Sequence, residues 1–350
     1  MEEESVTVIR ESTRNLVRLS RRNHRGEDTD LRRSIPDSCK SSGTVVDIAS
    51  KLKTKSPVYV DELRTLKNAL LEDAKNIDIV LSTHGALRGL VREISGHDTK
   101  KQVEATGCCC NLSLGDERGA LALTKHVAPY LAVGIDSLSS ELAVTSIWSL
   151  GNLAGSSARA GAALAAQGAL AKLVTVLGST ADEEVVDAVG YAVGHFVYQL
   201  KSDLKVEHLQ KLLQILSSRD LLSAFSRVLF TLSCHPDFTS LPEVNQDLLL
   251  KLLESTKVSM ESYLSNENGP HTNELLYLIR TLSNLCIECN VCDIVLEYFV
   301  RNNFGLVFKK ILTLNNVVMS KSVMWLLGNL LKYSTDNSSK NKFFSEFCNT

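Results

Sequence analysis

Six positions, Asn111, Asn152, His195, Thr231, Asn284 and Asn329, recur within similar apolar frames. The fullest are Trp148-Ser149-Leu150-Gly151-Asn152-Leu153 and Trp325-Leu326-Leu327-Gly328-Asn329-Leu330. An asparagine amide donates and accepts hydrogen bonds at once. That matches an extended peptide, whose backbone offers one donor and one acceptor per residue. A tryptophan four residues earlier lies on the same helical face, where its ring can pack along a lysine stem and attract the ammonium. Trp148 with Asn152 and Trp325 with Asn329 have that spacing. Elsewhere this earlier position is Gly107, Tyr191, Arg227 or Arg280, and the arginines would repel a basic ligand. The alternative is structural: the asparagines bond across to a neighbouring helix and the tryptophan rings are core. Carboxylates follow the same register. Glu104 stands seven residues before Asn111, and Glu141 and Glu184 stand eleven before Asn152 and His195. On a helix these offsets fall within about 20° of the anchor. They favour a cationic ligand, or else complement the helix dipole, a first-turn acid contributing about 0.3–1 kcal/mol.

Other chemistry is sparse. Cys286, Cys289 and Cys292 have C-x2-C-x2-C spacing without a nearby fourth ligand, where structural zinc wants four. Free thiols are the simpler reading, and no metal or cofactor is expected. Cys108, Cys109 and Cys110 read as small core residues. No phosphate loop, nucleophile elbow or metalloprotease motif is present. The histidines are scattered without a recurring acid or nucleophile partner, so no catalytic residue is assigned and an enzyme is not expected. Nine cysteines with no signal peptide point to a reducing compartment.

These residues need helices to hold them. The six anchors are separated by 41, 43, 36, 53 and 45 residues, the longest interval containing the polar stretch 265–271. A second element, Gly85-Ala86-Leu87-Arg88-Gly89-Leu90-Val91, returns as Gly168-Ala169-Leu170-Ala171-Lys172-Leu173-Val174, 83 residues or two periods later. Val127-Ala128-Pro129-Tyr130-Leu131 is a degraded copy between them. Each unit is thus a Gly- or Pro-started helix followed by a longer anchor helix, and the period is that of armadillo and HEAT units. Such units bury their apolar faces only by stacking on one another. Only 19 glycines and 6 prolines serve 350 residues, too few turns for a many-stranded sandwich or barrel. The expected fold is all-α, an armadillo/HEAT-like right-handed superhelical solenoid over residues 57–350, with about six to seven repeats.

Residues 1–56 differ. Arg10, Arg14, Arg18, Arg21, Arg22 and Arg25 face a single acid, Glu11, over residues 10–25. Repulsion at i, i+4 opposes an isolated helix there, so a mostly disordered basic head is expected, with at most one short helix around Val45 to Leu52. Net charge is −2, which gives no specific nucleic-acid signature. The longest uncharged run, Leu142 to Ala158, is 17 residues and mixed with polar groups, so no membrane span is expected.

Trp148-Ser149-Leu150-Gly151-Asn152-Leu153-Ala154-Gly155 and the Trp325 motif resemble the armadillo signature of the importin-α family. Leu19-Ser20-Arg21-Arg22-Asn23 resembles the Leu-x-Arg-Arg-Asn end of that family's carrier-binding segment. The resemblance implies an adaptor for protein import into the nucleus, cytoplasmic and nuclear in location. Its groove would hold basic peptide segments of cargo through Glu104, Asn111, Glu141, Trp148, Asn152, Glu184, Tyr191, His195, Asn284, Trp325 and Asn329. The six head arginines would dock an importin-β-type carrier. A cytoplasmic armadillo scaffold without a transport role is the alternative.

Overall fold

A computed structural model describes residues 42–219, 221, 225–266 and 272–348. The head arginines Arg10, Arg14, Arg18, Arg21, Arg22 and Arg25 lie outside the described residues. Among those described there are nineteen α-helices and no strand. Contacts divide the chain into two compact units at Leu200/Lys201.

The first unit contains α1 (Ser42–Thr54), α2 (Val60–Glu72), α3 (Ala74–Ser82), α4 (Ala86–Ile94), α5 (Thr99–Leu112), α6 (Glu117–His126), α7 (Ala128–Gly134), α8 (Ser140–Ser156), α9 (Ala158–Ala166), α10 (Ala169–Ser179) and α11 (Glu183–Leu200). From α3 onward these repeat as short, short, long. The long helices pack in series, α2 on α5, α5 on α8 and α8 on α11. The second unit contains α12 (Val206–Ser218), α13 (Ser226–Ser233), α14 (Gln246–Ser265), α15 (Thr272–Leu285), α16 (Cys289–Arg301), α17 (Phe304–Thr313), α18 (Val317–Tyr333) and α19 (Asn337–Cys348). Here α13, α15 and α18 pack in series. Within each unit the anchors therefore sit on helices that stack in series, as the period requires of an armadillo-like array.

The register has a local cause. Asp98, Ser139 and Asn316 cap the starts of α5, α8 and α18 with their side chains. Asp182 does the same for α11, its Oδ1 accepting from the backbone N–H of Glu184 at 3.0 Å. Each lies thirteen residues before its anchor. A capping oxygen satisfies one of the free N–H groups of the first turn and fixes where the helix begins. At the corner between the two short helices the chain turns through the left-handed region, at Gly85 (φ 98°), Gly168 (φ 84°) and Asn303 (φ 57°). Glycine meets that demand without a Cβ penalty, and asparagine is among the few side chains that tolerate it. The long 231–284 interval is carried partly by α14, which runs 20 residues where α10 runs 11.

The sequence puts the array's start at residue 57. The structure corrects this: α1 buries Val45, Ile48, Ala49 and Leu52 against its neighbours. A Cβ on Gly89 would meet the Leu52 carbonyl oxygen at 2.5 Å, so α4 approaches α1 closely only because position 89 has no side chain. Apolar residues at i, i+3, i+4 and i+7 make α1 amphipathic despite its Ser- and Lys-rich flanks.

In the second unit, α19 packs on α16 and α17. Phe343 is fully buried there beside Phe299 and Phe308. Asp293 ties the preceding loop, accepting from Ser334 Oγ at 2.6 Å and the backbone N–H of Thr335 at 2.9 Å. Burial pushes that carboxyl up, but these bonds outweigh it and hold it at about 2. No single helix among the described residues is long and apolar enough to cross a membrane.

Candidate functional site

The asparagine anchors turn out to join consecutive long helices. Asn111 Nδ2 donates to the Lys67 carbonyl at 2.6 Å, and Asn152 Nδ2 donates to the Cys110 carbonyl at 3.2 Å. Asn329 Nδ2 donates to the Ser283 carbonyl at 2.8 Å, and Asn284 Nδ2 to Ser233 Oγ at 2.8 Å. Each bond reaches back one repeat. Thr231 does not continue the series in this way: its hydroxyl donates to the Arg227 carbonyl within its own helix.

Two expected groove residues are thereby corrected. Asn111 is fully buried, so its amide cannot face a peptide. Glu104 is 6% exposed and is held by Arg64 Nε at 2.9 Å and Lys67 Nζ at 2.5 Å, both on α2. Its charge is neutralised from the preceding repeat. Asn152 is 5% exposed, and its Oδ1 accepts from Tyr191 Oη at 2.6 Å. It thus orients Tyr191 instead of offering its amide to a ligand. Asn284 and Asn329 are half-buried.

The aromatic residues behave differently. Trp148 is half-buried, not core, and its ring stacks on Tyr191 at 4.3 Å between centroids with a 29° tilt. His195, one turn further along α11, meets the edge of Tyr191 at 4.6 Å. The three rings form a ridge along the α8–α11 seam. This seam is tight because Gly151 and Gly155 face α11: a Cβ on either would lie 2.9 Å from Ala192 Cα or 2.6 Å from His195 Nδ1.

Carboxylates border the ridge. Glu141 and Glu184 are both exposed, each seven residues before its ring, Trp148 or Tyr191. Ser140 Oγ donates to Asp182 Oδ2 at 3.2 Å, which holds the two helix starts side by side. Asp187, one turn before Tyr191, is the residue missed in sequence. Burial and then the charge of Glu183 raise its carboxyl above the ordinary aspartate value. A cation docked there would oppose that shift by favouring the ionised carboxylate. Its signal was available, since an acid four residues before an aromatic shares its helical face.

Trp325 is 43% exposed. Nearby, Arg280 Nε donates to Ser322 Oγ at 3.0 Å, and its guanidinium lies over Phe230 at 5.8 Å. Among the described residues, no group of three or more His, Cys, Asp or Glu side chains is arranged to hold a metal. Cys286 and Cys292 are buried, the Cys292 thiol donating to the Cys286 carbonyl at 3.2 Å, while Cys289 is exposed.

No family model matches the chain, and no curated protein matches it. Among solved structures it is similar to an engineered protein, with TM-score 0.63 and 19% identity over 83% of this chain and 68% of that one. A computationally designed armadillo repeat protein for modular peptide recognition matches at TM-score 0.46 and 16% identity over 81% and 99%. A designed armadillo repeat protein in complex with peptide (KR)4 matches at 0.45 and 17% over 83% and 100%. The first likeness shows a shared fold; the TM-scores of the other two are too low to extend it.

Proposed function

We propose that this chain is a non-catalytic protein-binding scaffold that holds an extended basic segment along the α8–α11 ridge, as an adaptor in protein import into the nucleus. The observation that carries the binding reading is the half-buried Trp148–Tyr191 stack bordered by Glu141, Glu184 and Asp187. Rings with carboxylates one to two turns away suit lysine, whose stem packs on an aromatic face while its ammonium reaches the acids. Asn111 and Asn152 are engaged within the array, so side chains of the ligand carry the recognition.

The import role rests on the likeness of Leu19 to Asn23 and the six head arginines to a carrier-binding segment. It places the protein in both cytoplasm and nucleus. The spent asparagine amides favour a second reading, a scaffold with no transport role. The two separate by experiment. A fluorescent octapeptide of alternating Lys and Arg should bind the protein, and Trp148→Ala should weaken binding about tenfold, the loss of a cation–π contact and its stem packing. The melt should fall only modestly, because the ring is half exposed. Undiminished peptide binding by a folded Trp148→Ala protein would remove the ridge as the site. Reversing Arg21 and Arg22 to Glu should abolish pulldown of an importin-β-type carrier while peptide binding persists. Unchanged capture would leave the scaffold reading.

A further inference from the structure

The second unit has a ring-bearing seam of its own, and its charge is opposite to that of the α8–α11 ridge. Asn152 donates to the carbonyl one residue before Asn111, and Asn329 to the carbonyl one residue before Asn284. Asn284 reaches Ser233, so its counterpart at the end of α13 is Cys234 and not Thr231. The same amide lies 3.5 Å from the Cys234 sulfur. Four residues before Cys234 stands Phe230, the place that Trp148 has before Asn152. Four residues before Asn284 stands Arg280, the place that Tyr191 has before His195. The Trp148–Tyr191 stack is thus repeated as Arg280 over Phe230, 5.8 Å from guanidinium to ring centre.

The cation that the α8–α11 ridge would take from a ligand is here part of the protein. Arg280 is fixed: its Nε donates to Ser322 Oγ of α18 at 3.0 Å, and that hydroxyl donates to the Val318 carbonyl at 3.1 Å. With Nε engaged, the two terminal nitrogens form a fork that suits a carboxylate. Arg227, one turn before Phe230, is exposed. The arginine–carboxylate pairs among the described residues belong to Arg64, Arg92 and Arg301, and neither Arg227 nor Arg280 has one. Helices α13 and α18 contain no acid. The one acid of α15, Glu274, accepts from Ser259 Oγ of α14 at 2.5 Å. The seam has its neighbours in place, since α15 packs on α13 and on α18.

We propose that the α13–α15 seam binds an acidic extended segment of a partner protein, with its carboxylates on Arg280 and Arg227. Packed helices lie about 8–10 Å apart, a distance that an extended chain covers in about three residues. Acids three residues apart would then meet both arginines. A basic segment is repelled here, so the two ridges choose ligands of opposite sign. Single-stranded nucleic acid fits less well, because its bases need open ring faces. Phe230 and Tyr277 are half-buried and stacked on one another at 5.8 Å, with Arg280 over Phe230.

The probe is a fluorescein-labelled nine-residue peptide that repeats Glu-Ser-Ser. It should bind the full chain and weaken as salt rises, and its glutamine version should not bind. Arg280→Gln should weaken binding about tenfold, the loss of a charge-assisted fork. The exposed Arg227→Gln should weaken it about threefold without lowering the melt. Bound peptide should also slow alkylation of Cys234, whose exposed thiol donates to the Phe230 carbonyl at 3.4 Å. Trp148→Ala should leave this binding unchanged, so failure here and failure of the basic-segment ridge are told apart. No binding by the wild type, or full binding by both arginine variants, would overturn the proposal. So would unslowed alkylation of Cys234 by saturating peptide. Tighter binding of a twelve-nucleotide oligothymidine, lost in the arginine variants, would overturn it too and assign the seam to nucleic acid.

Discussion

Replacing Arg64 and Lys67 together by methionine should lower unfolding free energy by about 3–5 kcal/mol, the usual cost of leaving a buried charge without its partners. Glu104 is nearly inaccessible, and these are the cations the structure places on its carboxylate. Methionine preserves much of the packing. The Lys67 stem runs over Gly107, where a Cβ would meet its Cδ at 2.5 Å, and an unbranched apolar chain can follow that path. Adding Glu104→Met to the double variant should recover most of the loss, since an apolar trio of similar volume is close to neutral at buried ion-pair sites. Urea unfolding of the three proteins checks this. A double variant as stable as the wild type would mean that Glu104 reaches solvent and is available to a ligand after all.

Glu104 shows where the sequence was readable and where it was not. The spacing of the anchors correctly put α5, α8 and α11 in one layer, because a recurring apolar frame buries its face only by stacking on its neighbours. It did not show what stands opposite each polar residue. Arg64 and Lys67 lie about one period before Glu104, so the pairing was written in the sequence, but only once helix adjacency is known. Asn111 and Asn152 misled for a related reason. An amide with both donor and acceptor suits a peptide backbone and a neighbouring helix carbonyl equally well, and spacing alone cannot choose. Trp148 was better determined: a ring at the seam of two helices joined through Gly151 has a neighbour on one side and solvent on the other. The helix around Val45 to Leu52 was legible, but its packing into the array was hidden by composition, its four apolar contacts being set among serines and lysines.

Gly151→Leu should cost about 3 kcal/mol, the upper part of the range for overpacking. The new Cβ alone would sit 2.9 Å from both Ala192 Cα and the Tyr191 ring, and the remaining three carbons have nowhere to go. Helix propensity favours leucine over glycine by roughly 0.5–1 kcal/mol, too little to offset a backbone collision. Relief would require α11 to move away from α8, but Gln199 Nε2 donates to the Gly155 carbonyl at 3.1 Å and Tyr191 Oη to Asn152 at 2.6 Å, pinning the seam at two levels. Separation breaks these bonds and the Trp148–Tyr191 stack together. Loss of hydrogen-exchange protection should therefore concentrate in α8 and α11, and basic-peptide binding should fall with it. Stacked repeats respond locally because each contacts only its neighbours, so α15 to α18 should keep their protection. Protection retained across α8 and α11 in a folded Gly151→Leu protein would show that the helices have slack at this seam, and the ridge could not then be a rigid site.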